Sequence, residues 1–190
     1  MKRFVLAAAT ATLLSALPAL AAETHYTIDA EHTYPSVEFP HMGISVFRGK
    51  FKKTSGTVTL DRTAKSGKVD ITIDIASIDF GHAKVDQNAQ EKDWLDVAEH
   101  PTATYKGSLK FSGDTPSGVD GELTLRGVTQ PVALTIASFK CIQHPMRKKE
   151  VCGADAEGDF DRAAFGMTKM SDNGLGRIHL RIQVEAVRDD

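Results

Sequence analysis

The sequence is short of the residues that usually announce chemistry. It has two cysteines, one tryptophan and three tyrosines, and aromatic residues make up only 7% of it. Its seven histidines never fall in an H-x-H or H-E-x-x-H spacing, which leaves no conventional zinc motif. Cys141 and Cys152 are not a C-x-x-C pair, and they lack a third and fourth ligand at metal-binding spacing. Ser36, Ser45 and Ser55 lie outside any G-x-S-x-G elbow, so a serine hydrolase has no support. Charge of one sign is missing too: 23 Lys and Arg stand against 25 Asp and Glu. That balance excludes a polybasic nucleic-acid binder and a disordered acidic tail, and the cysteine count excludes a disulfide-dense miniprotein. The expectation is a protein without metal, cofactor, catalytic motif or nucleic-acid partner.

Long apolar runs are equally scarce, and the single exception opens the chain. Met1-Lys2-Arg3 is basic, Phe4 to Leu17 is almost uncharged and apolar, and Pro18 breaks the run. Ala19-Leu20-Ala21 then gives the small-x-small pattern of a signal-peptidase site. The run is too short to span a bilayer and lacks a basic stop-transfer flank. It predicts a cleaved signal peptide over residues 1–21, a mature domain over residues 22–190 without a transmembrane segment, and a periplasmic address. In that oxidising space an even pair of cysteines reads as a structural disulfide between Cys141 and Cys152. Closing so short a loop stabilises the fold by about 3 kcal/mol on the chain-entropy model.

What the mature part does contain is a period of two. Val69, Ile71, Ile73 and Ile75 alternate with Asp70, Thr72 and Asp74. Ile178, Leu180, Ile182, Val184 and Ala186 alternate with His179, Arg181, Gln183 and Glu185, and Tyr105, Gly107, Leu109 and Phe111 with Lys106, Ser108 and Lys110. Each pattern is that of a strand with one dry and one wet face. Weaker runs are Thr24–Ile28, Ser36–His41, Thr57–Leu60, Gly121–Leu125, Val132–Phe139 and Ala154–Phe160. Turn signals separate them at Ser66-Gly67, Gly113-Asp114, Pro116-Ser117-Gly118, Gly127 and Asn173-Gly174. About eight short amphipathic strands predict an all-β, antiparallel barrel or sandwich. Ala83 to Leu95, poor in β-branched residues and rich in Ala, Gln, Glu and Lys, predicts one short helix.

An all-β chain of this size hides its dry face by closing the sheet or pairing two sheets. A barrel of about eight strands is filled by its own side chains or holds one ligand. The few large aromatics, and the small residues Gly107, Gly121, Ala154, Ala156 and Gly158 on the expected inward face, favour the hollow version. The rival is that such residues mark bends or bulges.

Several motifs then carry a resemblance. Asp29-Ala30-Glu31-His32, followed by Val37-Glu38-Phe39-Pro40-His41-Met42-Gly43 and Gly49-Lys50-Phe51, resembles the opening signature of the YceI family. Trp94-Leu95-Asp96-Val97 with His100-Pro101-Thr102-Ala103-Thr104-Tyr105 is similar to its central motif. Gly121-Glu122-Leu123-Thr124-Leu125-Arg126-Gly127-Val128-Thr129-Gln130-Pro131-Val132 resembles its most specific segment, and Asp161-Arg162-Ala163-Ala164-Phe165-Gly166-Met167 completes the set. The resemblance implies a lipocalin-like antiparallel β-barrel with a helical segment, and a tunnel for a long-chain isoprenoid lipid. It implies no shared catalytic centre. The helical segment departs from the family. Where a basic residue and a Leu-Arg-Ser-like stretch are usual, this chain has Val85 and Ala89-Gln90-Glu91, so a basic headgroup contact is to be sought elsewhere.

Strand phase and resemblance together put Val37, Phe39, Ile71, Ile73, Tyr105, Leu123, Leu125, Leu180 and Ile182 on the tunnel wall, with Trp94 and Phe165 near an entrance. His41 shares the inward phase of Val37 and Phe39 and is expected as a hydrogen-bonded structural histidine. The resemblance places Arg162 on a strand-like segment near a barrel end, either paired with Asp161 or another acid or facing a ligand headgroup. Asp96 is expected as a turn or cap acceptor. Arg147-Lys148-Lys149 reads as a solvated hairpin tip in preference to a diphosphate or membrane contact.

The expected function is a periplasmic binding or carrier protein for a long-chain isoprenoid or similar apolar lipid, without turnover. Each buried isoprene unit contributes on the order of 3 kcal/mol, so affinity needs no specific polar chemistry. One rival is an enzyme acting on an isoprenoid lipid in the same cavity, for which His41, Asp93 and Asp96 form the sole candidate cluster. The other is a quinone-handling module of an envelope electron-transfer or stress system. The partner is thus an apolar lipid or a quinone, and a homodimer stays open.

Overall fold

The structure, a computed structural model, describes residues 23–172 and 175–190. The expected signal peptide and the Asn173-Gly174 turn lie outside the described residues. Strands run in the order β1 (Thr24–Ile28), β2 (Tyr34–His41), β3 (Ser45–Phe51), β4 (Thr54–Asp61), β5 (Ser66–Asp74) and β6 (Ile78–Asp79). Helix α1 (Ala83–Ala89) follows, then β7 (Thr102–Ser112), β8 (Thr115–Leu125), β9 (Val128–Pro131), β10 (Leu134–Gln143), β11 (Glu150–Asp161) and β12 (Arg177–Arg188). Short 3-10 turns occupy Ile75–Ser77 and Arg162–Phe165.

Neighbouring strands pair antiparallel around the circuit β1-β4-β5-β7-β8-β10-β11-β12. Residues 186–188 of β12 then return to β1, with Ile28 opposite Ala186 and Tyr26 opposite Arg188. Closure removes the sheet edges that would otherwise invite pairing with other chains. The expected antiparallel, lipocalin-like barrel of eight strands with one short helix is what this chain forms. At one end β2 leaves β1, pairs with residues 179–183 of β12, and carries β3 and β6 with it. That end also holds α1 and the Arg162–Phe165 turn. The opposite end is made by the start of β1, the 62–65 turn, the Gly113-Asp114 turn and the 144–149 loop.

Local chemistry explains the turns. Arg126 and Gly127 both adopt positive φ (53° and 72°), the twist a two-residue hairpin between β8 and β9 requires. Met42 and Gly43 do the same between β2 and β3 (φ 53° and 72°). Pro116-Ser117-Gly118 is not a turn but part of β8. Pro116 has no N–H to give the ladder, and it is tolerated because β8 bulges beside it: Lys110 pairs with Gly118 and Phe111 with Pro116, which leaves Ser117 extra. The helix is shorter than expected. His82 caps α1 by accepting from the Lys84 N–H at 3.2 Å, and the helix ends at Ala89. The chain then folds back, with the Leu95 and Val97 amides donating to the Ala89 and Gln90 carbonyls. Asp96 takes φ 51° in this turn, and its carbonyl accepts from Glu99 and His100.

Candidate functional site: a dry cavity along the barrel

Inward-facing residues of all eight barrel strands surround a cavity of about 650 Å³. Its floor lies at the end where β1 begins. Tyr26, Leu60, Cys152 and Ala186 pack there, braced by the bonded Cys141 and Cys152, which face each other across β10 and β11. The Tyr26 hydroxyl donates to Glu150 Oε1 at 2.5 Å, and Arg62 Nη2 donates to the same oxygen at 3.0 Å. Burial and the bond to Glu150 push the Tyr26 phenol up to about 12. Burial pushes the Glu150 carboxyl upward, but the bonds from Tyr26 and Arg62 outweigh it and hold its pKa below the ordinary value.

The walls are those the alternation marks. β2 supplies Val37, Phe39 and His41, β5 supplies Ile71 and Ile73, and β7 supplies Tyr105. Leu123 and Leu125 come from β8, and Leu180 and Ile182 from β12. Tyr105 does not spend its hydroxyl on the cavity: it donates to the Val132 carbonyl at 2.8 Å, and burial raises its pKa. Gly121 and Gly107 face each other on β8 and β7, and the first serves this residue. A Cβ on Gly121 would stand 2.4 Å from the Tyr105 ring and hydroxyl. Gly107, Gly121 and Gly158 therefore do not hollow the barrel; a Cβ on Gly158 would meet the Ala133 carbonyl at 2.7 Å. Of the small inward residues, Ala154 and Ala156 are the ones that border the cavity.

At the other end lies an aromatic mouth. Phe39 meets Phe47 and Phe80 edge-on at 5.7 and 5.8 Å. Phe80 lies against Gly49, where a Cβ would come within 2.5 Å of its ring. His41 is inward as expected, but its ring stacks flat on Phe47 at 4.2 Å, and no side-chain hydrogen bond holds it among the described residues. Face-on packing, not the expected polar anchoring, fixes this histidine. Helix α1 covers part of the opening with Val85, Asn88 and Ala89 on one face. Of the positions where the family resemblance would lead one to look for basic residues, Val85 is apolar and borders the cavity, while Gln90, in the place of the arginine, donates to the Ala76 carbonyl at 3.4 Å.

Trp94 borders the mouth with the Arg162 guanidinium 4.9 Å from its ring centre. Arg162 is on a 3-10 turn, not a strand, and it does not pair with Asp161. Its Nη1 donates to the Met167 carbonyl at 2.8 Å, and Nη2 to the Lys169 and Met170 carbonyls at 2.6 and 2.8 Å. Asp161 caps the turn instead, accepting from the Ala163 N–H at 2.9 Å. Burial draws the Arg162 pKa below its ordinary value, yet the residue borders the cavity. Phe165 does not: only 1% exposed, it stands behind the wall and packs edge-on against Phe160 at 5.2 Å.

The structure does not assemble the candidate acid–base cluster. Asp93 is engaged by Lys169 at 2.7 Å, which lowers its pKa. Asp96 lies in its turn 4.0 Å from Arg126, and His41 is stacked on Phe47. The 144–149 loop is likewise committed. Arg147 Nη2 donates to Asp29 Oδ2 at 2.6 Å, and Lys149 Nζ donates to the Asp189 carbonyl at 2.5 Å. Asp29 also accepts from His32 Nδ1 at 2.9 Å, so the Asp29-Ala30-Glu31-His32 motif braces the corner where β1 becomes β2.

Sequence reasoning missed Phe47 and Phe80. A signal for Phe47 was present: Phe47, Gly49 and Phe51 alternate with Arg48 and Lys50 along β3, but the outward Val46 blurs the period. Phe80 follows a two-residue strand too short to show a period.

The chain has clear relatives. A family model described as YceI-like domain matches residues 26–187. The protein named Protein YceI of Escherichia coli O17:K52:H18 is 32% identical, over 99% of each chain. Among solved structures, Burkholderia cenocepacia BcnA superposes with a TM-score of 0.67 at 25% identity, covering 83% of this chain and 98% of that one. A polyisoprenoid binding domain from Saccharophagus degradans shares the fold at 13% identity, with a TM-score of 0.61 over 86% of this chain and 98% of its own.

Proposed function

Since the chain belongs to the YceI family, we propose that its barrel binds a long-chain isoprenoid or similarly apolar lipid and carries it in the periplasm without chemical turnover. The observation that carries this reading is a cavity of about 650 Å³ with an overwhelmingly apolar lining, whose nearby polar groups are mostly spent on the protein itself. Tyr105 is bonded to Val132, and Arg162 to three backbone carbonyls. An apolar chain loses nothing by entering such a space, whereas a polar solute leaves its own groups unpaired there. At roughly 25–30 Å³ per carbon the cavity admits on the order of twenty to twenty-five carbons, or four to five isoprene units. The tail lies along Ile71, Ile73, Leu123 and Leu180, and the polar end stays at the mouth, where Arg162 and Trp94 stand. A structural neighbour described as a polyisoprenoid binding domain supports the same ligand class. Residues 1–21 and the single disulfide fit export into an oxidising compartment.

Native mass spectrometry after gentle purification tests the reading. The expected spectrum shows the protein with an extractable lipid adduct. A ligand-free protein that also fails to take up farnesol or geranylgeraniol sinks it.

A further inference from the structure

The β2–β3 hairpin carries apolar side chains that the barrel does not absorb. Ile44 is 82% exposed, Met42 68% and Val46 43%, and Met170, on the segment leading into β12, is 60% exposed. Met42 and Met170 also border the cavity, so the dry lining runs out onto the outer surface at this end. Scattered exposed apolar residues need no explanation, but a group continuous with a cavity mouth marks a contact surface. The hairpin has a sign as well. From Phe39 to Phe51 it contains no acid; behind the tip Arg48, two-thirds exposed, also donates to Glu38 of β2 at 3.0 Å, and Lys50 lies over the Tyr34 ring, so β2 and β3 together keep a net charge of +1. An apolar tip with basic shoulders is the arrangement that settles into the headgroup–acyl boundary of an anionic bilayer, the side chains entering and the cations meeting phosphates.

We infer that the β2–β3 hairpin docks the mouth of the barrel on the surface of a bilayer containing anionic phospholipid, so that an apolar ligand passes between bilayer and cavity without crossing water. The inference rests on the reading of the cavity as a lipid site. The opposite end has its own exposed Met146, at 83%, beside Arg147-Lys148-Lys149. There, however, Met146 does not border the cavity, so its exposed apolar surface is not continuous with the lining.

The test is flotation of the protein, isolated in the form the cell accumulates, with vesicles of equal parts phosphatidylcholine and phosphatidylglycerol. The parent should float with the vesicles. The double variant Ile44→Ser/Val46→Ser, neither of whose positions borders the cavity, should lose partitioning about tenfold or more. Met146→Ser should float like the parent. Docking is overturned if the parent stays at the bottom, as recruitment by a protein partner would predict. It is equally overturned if the double variant floats unchanged or if Met146→Ser loses as much. Uptake of geranylgeraniol presented in detergent micelles should be the same in parent and double variant. A parent that floats but takes up none overturns the lipid-site reading, and with it the transfer this docking would serve.

Discussion

At the scale of single residues, the wall is intolerant of charge, and on β8 it is intolerant of a methyl group. Ile73 borders the cavity from β5, directly opposite Thr54 of β4 and Ala103 of β7. A carboxylate there has no partner, and burying it unpaired costs several kcal/mol. Ile73→Asp should therefore lower uptake of a prenyl alcohol by about a hundredfold or more. Unchanged uptake in a variant that keeps the parent circular dichroism spectrum would mean that Ile73 does not face the ligand. Gly121→Ala tests the other constraint. Its methyl would collide with Tyr105 and dislodge the bond to the Val132 carbonyl, at a cost of about 1–3 kcal/mol in a denaturant titration. A neutral result would show that Tyr105 has somewhere else to go.

At the scale of elements, the floor is held by one covalent and one ionic clamp. The disulfide joins directly opposed residues of β10 and β11 and closes a loop of eleven-residue separation. Its reduction should lower stability by about 3 kcal/mol, read as a shift in the urea midpoint with and without a reductant. The ionic clamp is Glu150, whose pKa is held below its ordinary value of 4.5 by Tyr26 and Arg62. A carboxylate with a depressed folded-state pKa binds protons more readily when unfolded. Its contribution is therefore complete above the ordinary value and is lost as pH falls through the depressed one. Stability measured from neutral pH downward should fall in that acid range, and Glu150→Gln should flatten this part of the profile. An identical profile in Glu150→Gln would assign the acid sensitivity to other carboxylates.

At the scale of the molecule, the cavity is a ruler. Each isoprene unit buried contributes on the order of 3 kcal/mol before ordering costs, and the space ends at the Tyr26–Leu60 floor. Affinity should rise steeply with prenyl chain length up to about four or five units, then flatten as further units stay in the mouth or in water. Competition titrations with two-, three-, four- and longer-unit prenyl alcohols measure this. A continued steep rise for much longer chains would mean that the floor opens.

The sequence by itself determined an antiparallel all-β fold and most of its inward face, with the barrel implied by family resemblance and not by alternation. Period-two alternation in Val69–Ile75, Tyr105–Phe111 and Ile178–Ala186 states which side chains face the dry interior, because side-chain direction along a strand is a local property. It likewise marked Cys141 and Cys152 as partners. Tertiary structure alone decided what depends on distant pieces of chain meeting. Phe165 went behind Phe160 rather than to the mouth, and Arg162 was claimed by the carbonyls of residues 167, 169 and 170. Gly121 became room for Tyr105, and Gly107 and Gly158 room for the Asp120 and Ala133 carbonyls, instead of empty space, and the mouth drew its rings from β2, β3 and the segment after β6. The reason is physical. Strand phase is written residue by residue, whereas a void is the volume that all the side chains together fail to fill, and no local pattern carries that sum.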